Sequence, residues 1–341
     1  MSAGRCAEVS IEGIARDLNT LGIAYSVLET GAEGALLIVP ECGRILGLWP
    51  HWRGENALWV DPDFLDSLRI GAKDDGWRNP GGDGLRLAPV VEFLEDGRAP
   101  SLSIDPGRYE KLPKKGLWTM ENRGEAWAWR SGVRVGFRIV RRIRPLDEKD
   151  LARLWGTTYL RQAGYEEEAS VELTGGCSVA AGLWNVTLVQ AGGEARVPLR
   201  KYWGDTRLAA RPAGEVDLAD ACAVVHLRRE RATRVDLDAT EARPRILYVL
   251  EREAGRAILL VRDFQKTSAA AGEAFIECST AGGTRGGKQG AGELGCFSRL
   301  CGESRDAADS AASRRVVWKT SLCAFMGRTG EIRAFTRRLA G

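Results

Sequence analysis

The chain has 341 residues, of which 44% are hydrophobic and 28% are charged, as is ordinary for a globular protein. Its 49 basic and 46 acidic residues leave a formal net charge of +3, so the charge balance gives no electrostatic case for a nucleic acid or an anionic membrane as partner. No apolar run approaches the ~18 residues that a membrane span requires. This length is enough to bury one large core or two modest ones.

The N-terminal segment predicts an amphipathic helix. Ser10 is a favourable N-cap residue, apolar residues follow at helical spacing from Ile11 to Leu18, and Gly22 ends the pattern. Charged residues stand where a signal peptide would need an apolar stretch, and the eight cysteines contain no Cys-x-x-Cys pair. We therefore interpret residues 1–30 as a helical extension and expect a cytoplasmic protein.

The next part of the chain alternates short apolar runs with glycine, proline and asparagine. The apolar runs cover residues 34–40, 42–50 and 56–62, and a glycine-rich polar segment follows at residues 79–89. This punctuation is typical of antiparallel strands joined by tight turns. We interpret the polar segment as a loop whose glycines let Asp83 and Arg86 approach a ligand closely.

Further strands are predicted through most of the remaining sequence. The alternation of apolar and basic residues from Val133 to Ile143 indicates a half-buried strand. Apolar runs next to glycine turns indicate additional strands at residues 168–173, 183–189, 246–251, 257–262 and 316–325. Many short strands at this spacing predict an all-β sandwich and exclude a Rossmann fold or a TIM barrel.

Three segments differ from this strand pattern. Residues 147–155 predict one or two helical turns, and residues 330–339 predict a closing helix. Residues 267–314 are rich in alanine, glycine and serine, so we interpret them as a long loop. We expect disorder at residues 302–314. The loop lies within a single predicted domain that covers residues 31–341.

Several motifs resemble the galactose mutarotase-like superfamily, which includes the aldose 1-epimerases. Residues 79–89 resemble its Gly-Gly-Asp/His-Arg-x-Trp-x-Ala-Pro-Glu stretch, and residues 292–297 resemble its Gly-Glu-Leu-Glu-x-His segment. The chain differs from the family pattern at Gly84 in the place of an arginine, and at Val90 and Gly295 in the places of glutamates. The resemblance implies a β-supersandwich with a helix at each end.

The resemblance also implies a carbohydrate-active protein that needs neither a cofactor nor a metal. Mutarotases of this superfamily use a glutamate to take the anomeric hydroxyl proton and a histidine to protonate the ring oxygen. The chain has only two histidines, His51 and His226. With Gly295 in the usual glutamate position, Glu293 and His226 are the candidates for these two catalytic roles.

Four residues are candidates for binding a sugar. A carboxylate and a guanidinium together bind vicinal hydroxyls, which points to Asp83 and Arg86. Tryptophan rings stack on the C–H faces of sugars, which points to Trp59 and Trp184, although tryptophans also fill sandwich cores.

Three functions stay open after these considerations. The first is an aldose epimerase-like isomerase that acts on a small sugar or glycan. The second is a non-catalytic carbohydrate-binding protein that has lost the His/Glu pair. The third is a glycan lyase or hydrolase, which requires two facing carboxylates or a Tyr/His pair. The sequence leaves the identity of the sugar and the oligomeric state open.

Overall fold

The computed structural model describes residues 10–61, 79–95, 99–113, 117–156, 158–174, 179–200, 216–239, 241–265, 274–280, 291–298 and 315–341. Over these residues the chain forms two large antiparallel sheets that enclose one extended hydrophobic core, with three α-helices on the outside. The all-β sandwich predicted from the sequence is confirmed.

The strands are numbered along the chain. In spatial order, sheet 1 contains β1 (Ser26–Thr30), β2 (Gly34–Val39), β3 (Arg44–Trp49), β4 (Asp83–Ala88), β11 (Gly182–Gln190), β19 (Ala291–Phe297), β18 (Ala274–Thr280) and β15 (Thr233–Asp238). Sheet 2 contains β13 (Val216–Ala219), β14 (Cys222–His226), β12 (Glu194–Pro198), β16 (Arg245–Arg252), β17 (Arg256–Phe264), β20 (Arg315–Arg328), β10 (Arg161–Thr174), β9 (Val133–Pro145), β8 (Trp118–Ala128) and β7 (Glu110–Leu112). Two short strands, β5 (Leu94–Glu95) and β6 (Ala99–Pro100), form a separate ribbon.

Three helices pack on the outer faces of the sheets: α1 (Ile11–Thr20), α2 (Glu148–Trp155) and α3 (Thr329–Ala340). The Ser10 hydroxyl caps α1 by accepting a hydrogen bond from the Gly13 amide, and the buried face of α1 packs on sheet 1. Helices α2 and α3 cover part of the outer face of sheet 2. The helices predicted at both ends of the chain and at residues 147–155 are confirmed.

Two segments that the sequence predicted as loops contain strands of sheet 1. Residues 83–88 form β4, and the segment 267–314 contributes β18 and β19. Strand periodicity is hidden in these segments because both faces of the strands carry polar residues or glycine. Residues 302–314 lie outside the described residues. The division of the chain at residue 30 stays a prediction, although β1 on one side of it pairs with β2 on the other.

A buried carboxylate joins the two sheets. Asp83 on β4 is fully buried between them and accepts hydrogen bonds from the Tyr165 hydroxyl at 2.7 Å and the Thr187 hydroxyl at 2.8 Å. It also pairs with the guanidinium of Arg262 on β17. Because Thr187 belongs to sheet 1 while Tyr165 and Arg262 belong to sheet 2, the Asp83 carboxylate fixes the position of β4 relative to both sheets.

A second buried pair completes the charge balance between the sheets. Arg141 on β9 donates to the Glu167 carboxylate at 2.5 and 3.0 Å and to the Gly43 carbonyl at 2.6 Å. The Arg141 nitrogen that donates to Glu167 at 3.0 Å also lies 3.5 Å from Asp83. Two guanidinium groups and two carboxylates are thus buried together, which satisfies most of their hydrogen-bonding capacity and offsets their charges.

We expect the Asp83→Ala substitution to lower the free energy of unfolding by about 3–5 kcal/mol, because it leaves the buried Arg262 guanidinium without its counter-charge. Urea denaturation followed by circular dichroism measures the loss. The control is Asp217→Ala, which removes a carboxylate that is 68% exposed and lies 2.8 Å from His226; its effect should stay below about 1 kcal/mol. Equal, small losses in the two variants would contradict this role of Asp83.

Candidate functional site

Polar and aromatic side chains gather on the outer surface of sheet 1. We call this surface the site face; it carries the outward side chains of β3, β4, β11, β19, β18 and β15. Successive residues of a strand point to opposite faces, so Arg86 points outward from the strand whose Asp83 points inward. Arg86 lies directly opposite Trp184 on β11, and its guanidinium lies 5.0 Å from the centroid of the indole ring.

One carboxylate holds two arginines on the site face. Asp105, in the turn at residues 103–107, accepts a hydrogen bond from Arg86 Nε at 2.5 Å and pairs with Arg44 on β3. All three side chains are buried. Burial raises the pKa of the Asp105 carboxyl, but the two guanidinium groups outweigh that effect and hold the pKa below its usual value. Asp105 is therefore ionised at neutral pH and fixes the orientation of both arginines.

Arg44 occupies the space that a side chain at position 84 would take. A Cβ built on Gly84 would overlap the Arg44 guanidinium. Position 84 is where the sequence resemblance places an arginine of β4, so a neighbouring strand brings a guanidinium to the same region. The Nη1 atom of Arg44 is buried and has no hydrogen-bond partner among the residues that the structure describes.

Trp184 occupies the space above Gly295 in the same manner. Its ring stacks on Phe297 with the centroids 5.3 Å apart and the planes 4° from parallel. A Cβ built on Gly295 would overlap the indole Nε1. This nitrogen is buried and has no hydrogen-bond partner within the described part of the chain. A glutamate at position 295, as in the resembling family, is incompatible with this position of Trp184.

Two glutamates lie side by side on the site face. The strand register pairs Glu293 with Ser279 and Glu277 with Gly295, which makes the two glutamates diagonal neighbours on β19 and β18. Burial is the main cause that raises the pKa of Glu277; Arg234, 3.2 Å away, opposes this shift and the charge of Glu293 adds to it. Glu277 therefore keeps its proton to a higher pH than an exposed glutamate.

The structure brings together four of the residues that the sequence selected. Arg86, Trp184 and Glu293 lie on the site face, and Trp59 packs with Trp184 in a buried apolar cluster on the same side of sheet 1. Asp83 does not join them. It was selected as a partner of Arg86 in sugar binding, but residues three apart on a strand point in opposite directions, and Asp83 belongs to the interior.

Neither histidine lies on the site face. His226 is on the outer face of sheet 2, 2.8 Å from Asp217 and 3.7 Å from Glu194. The outer faces of the two sheets are on opposite sides of the sandwich, so the structure does not bring His226 to Glu293. His51 lies in the turn after β3, 3.5 Å from Glu33.

Sequence reasoning missed three members of the site: Arg44, Asp105 and Glu277. Arg44 and Glu277 each interrupt an apolar run with one charge, and a lone charge inside a buried strand is a usable signal because it requires a partner. Asp105 had no such signal, since it lies in an irregular turn.

A cavity of about 570 Å³ opens elsewhere, on the outer face of sheet 2. Its charged side chains pair with each other across the strands, as in Arg142 with Glu168 at 2.7 Å and Arg144 with Glu166 at 2.7 Å. Charged side chains that pair with each other on a solvated sheet are typical of an ordinary protein surface. Because this cavity offers mainly such pairs, we place the candidate site on the site face.

The described ranges contain neither a metal-binding cluster nor a membrane-spanning helix. Within them, no group of three or more His, Cys, Asp or Glu side chains could hold a metal ion. No helix in the described part of the chain is long and apolar enough to span a bilayer.

Comparison with known proteins gives structural similarities only. No family model matches the sequence, and no curated protein matches it. Similar solved structures include a candidate aldose 1-epimerase from Escherichia coli K12, with 10% identity and a TM-score of 0.49 over 89% of this chain and 100% of that chain. A galactose mutarotase-like protein from Lactobacillus casei ATCC 334 has 9% identity and a TM-score of 0.45 over 89% of this chain and 100% of that chain.

The resemblance to the galactose mutarotase-like superfamily that the sequence motifs indicate stays a prediction. The identities lie near 10% and both TM-scores lie below 0.5, so the candidate site is defined by the geometry of the site face alone.

We expect Gly295→Ala to lower the free energy of unfolding by about 1–3 kcal/mol, because the new methyl group overlaps the Trp184 indole in a packed site. In a Trp184→Phe background, which lacks Nε1, the same substitution should cost less. Thermal unfolding of the four combinations measures this coupling. The control is Gly330→Ala in α3, where a Cβ would meet nothing within 4 Å; no loss is expected there. A cost at Gly295 that Trp184→Phe leaves unchanged would contradict the overlap.

Proposed function

We propose that the protein binds a sugar or sugar derivative on the site face. The observation that carries this proposal is the convergence of an arginine, a tryptophan and two glutamates on one surface of one sheet. An indole ring stacks on the apolar face of a pyranose, while guanidinium and carboxylate groups bind its hydroxyls.

The burial of the four groups supports a prepared site. Arg86, Trp184, Glu293 and Glu277 are each less than a tenth exposed, and Asp105 fixes the guanidinium. Arg234 lies at the open side of the group, with 64% of its side chain exposed. Side chains already held in position lose little conformational freedom when a ligand binds.

A second candidate function is cofactor-independent epimerisation by two glutamates. The observation that favours it is the unequal environment of the pair, since the pKa of Glu277 is raised by burial beside Glu293. Glu277 would act as the acid and Glu293 as the base. The carboxylates lie side by side on one sheet, which gives no support to a hydrolase with facing carboxylates.

We expect Glu293→Gln and Glu277→Gln to weaken sugar binding about tenfold or more, because a neutral amide accepts hydrogen bonds from hydroxyls less strongly than a carboxylate. Isothermal titration calorimetry against glucose, galactose and their derivatives measures this effect. The matched control is Glu194→Gln. Glu194 lies on sheet 2, is 39% exposed and pairs with Arg196, so this variant should bind the sugar as tightly as the unmodified protein does. Unchanged binding in both site-face variants would exclude this site. Arg86→Ala is a poorer probe, because it also removes a partner of the buried Asp105.

Mutarotation of glucose or galactose should be no faster than a weak background, because Trp184 fills the space above Gly295 and no described histidine lies on the site face. Polarimetry on freshly dissolved α-anomers, with and without protein, tests this expectation. An acceleration by several orders of magnitude that disappears in Glu293→Gln would establish the second candidate function.

The second candidate function also implies a pH dependence. A rate that needs protonated Glu277 falls as the pH rises through its raised pKa, and Glu277→Gln removes that dependence. If acceleration is found, a rate that rises with pH over this range would exclude Glu277 as the acid.

A further inference from the structure

We propose that Trp127 and Trp129 form a binding surface for a neutral polysaccharide chain, separate from the site face. We call these two residues, together with the neighbouring Val91, the tryptophan patch. Three observations carry the inference: two adjacent indole rings are exposed, their backbone is held in place, and a small apolar area is bordered by charges of both signs. The inference goes beyond the proposed function, which concerns the outer face of sheet 1.

Strand β8 turns its large ring outward. Ala126 and Ala128 are buried in the core between the sheets, so Trp127 between them points away from that core. Trp129 follows directly after the strand. Trp127 and Trp129 are 38% and 40% exposed, and their ring centroids lie 6.2 Å apart with the planes at 71°. The chain therefore buries alanine and exposes tryptophan here, whereas a tryptophan that fills a sandwich core is buried.

Hydrogen bonds hold the backbone of the patch in place. The Trp129 amide donates to the Glu92 carbonyl at 2.7 Å, and the Ser131 amide donates to the Glu92 carboxylate at 2.9 Å. The turn after the strand is closed by the Gly132 amide, which donates to the Ala128 carbonyl at 2.7 Å. Rings that contact each other on a fixed backbone lose little conformational freedom when a ligand binds.

The apolar area of the patch fits a sugar better than a protein. A whole tryptophan presents up to about 250 Å², so Trp127 and Trp129 expose about 100 Å² each. Val91 is 51% exposed and, as a smaller residue, adds less. The patch therefore presents about 300 Å² or less, whereas a stable protein interface buries about 800 Å² on each partner. One or two pyranose rings, whose C–H faces stack on indole rings, match this area.

Charges of both signs border the rings. Arg134 on β9 lies directly opposite Trp127 and pairs at 3.7 Å with Glu125; these side chains are 75% and 69% exposed. Glu92 brings a second carboxylate beside Trp129. Guanidinium and carboxylate groups offer donors and acceptors to sugar hydroxyls. The two carboxylates oppose binding to an anionic membrane, which exposed tryptophan and arginine would otherwise favour. A neutral chain rich in hydroxyls matches this border.

The patch and the site face lie on different sheets. Trp127 points outward from sheet 2, while the site face is the outer surface of sheet 1. A chain bound at the patch therefore leaves the site face free, and variants of the two surfaces report on them separately.

The test is native electrophoresis through gels that contain one soluble polysaccharide: amylopectin, galactan, xylan or a mixed-linkage β-glucan. We expect at least one of them to retard the unmodified protein. Trp127→Ala and Trp129→Ala should each weaken this binding about tenfold or more, because each variant removes one stacking ring. The matched control is Trp52→Ala, since Trp52 is 43% exposed outside the patch. Trp52→Ala and the site-face variant Glu293→Gln should be retarded as the unmodified protein is.

A conservative variant separates the ring from the fold. Trp127→Tyr keeps an aromatic ring and should retain part of the binding that Trp127→Ala loses. Thermal unfolding verifies that each variant is folded. Retardation that is equal in Trp127→Ala, Trp129→Ala and the unmodified protein would place the polysaccharide elsewhere and overturn the inference.

The remaining outcomes also decide the matter. If no polysaccharide retards the protein, the inference fails. Self-association in analytical ultracentrifugation that Trp127→Ala abolishes would identify a second copy of the chain as the occupant. Binding to vesicles of phosphatidylcholine and phosphatidylglycerol that Trp127→Ala abolishes would identify a membrane surface; either result overturns the inference. Absence of monosaccharide binding in calorimetry counts against the site face alone, because retardation that depends on Trp127 and Trp129 supports the patch independently.

Discussion

The structure depends on one buried carboxylate, that of Asp83. Because it accepts hydrogen bonds and an ion pair from both sheets, β4 can occupy only one register between them. A slip by one residue would expose the buried charge of Asp83 and turn its neighbours inward, at a cost of several kcal/mol. The outward direction of Arg86 follows from this constraint, since the two residues are three positions apart on the same strand. The site on the outside is therefore fixed by a charge network on the inside.

On the site face, a side chain from one strand occupies the place that the resembling family gives to a residue of the neighbouring strand. Gly84 and Gly295 stand where the resembling family has an arginine and a glutamate, and in each place a side chain from an adjacent strand fills the vacated volume. The two replacements differ in chemistry. Arg44 restores a cation, whereas the indole of Trp184 replaces an acid with an aromatic surface. Under the proposed function, the face therefore offers a cation and an aromatic ring at the two places where the resembling family has a cation and an acid.

Sequence periodicity identified the elements whose two faces differ. Helix α1, the alternating strand at 133–143 and the closing helix each have one apolar face, and each was predicted close to its observed bounds. Periodicity failed at β4, where Asp83 interrupts the inward apolar face, and at β18 and β19, where apolar inward residues such as Ile276 and Leu294 stand among glycine and charged residues. Periodicity also could not show that Glu293 and His226 lie far apart. The side of the sandwich on which an outward residue lies depends on the sheet to which its strand belongs. Pairings between distant strands are not encoded in local pattern.

Under the proposed function, the charged groups of the site face connect sugar binding with proton transfer. Ring opening requires a base and an acid placed about one anomeric centre, and the two glutamates at one end offer both functions only while they hold different protonation states. Burial favours this difference, because two adjacent carboxylates cannot both ionise at low cost. In the second candidate function, Arg86 at the other end is held by Asp105 and takes no part in proton transfer. A surface with these two ends is suited to holding a sugar in one direction, and any turnover depends on whether that direction places the anomeric carbon at Glu293.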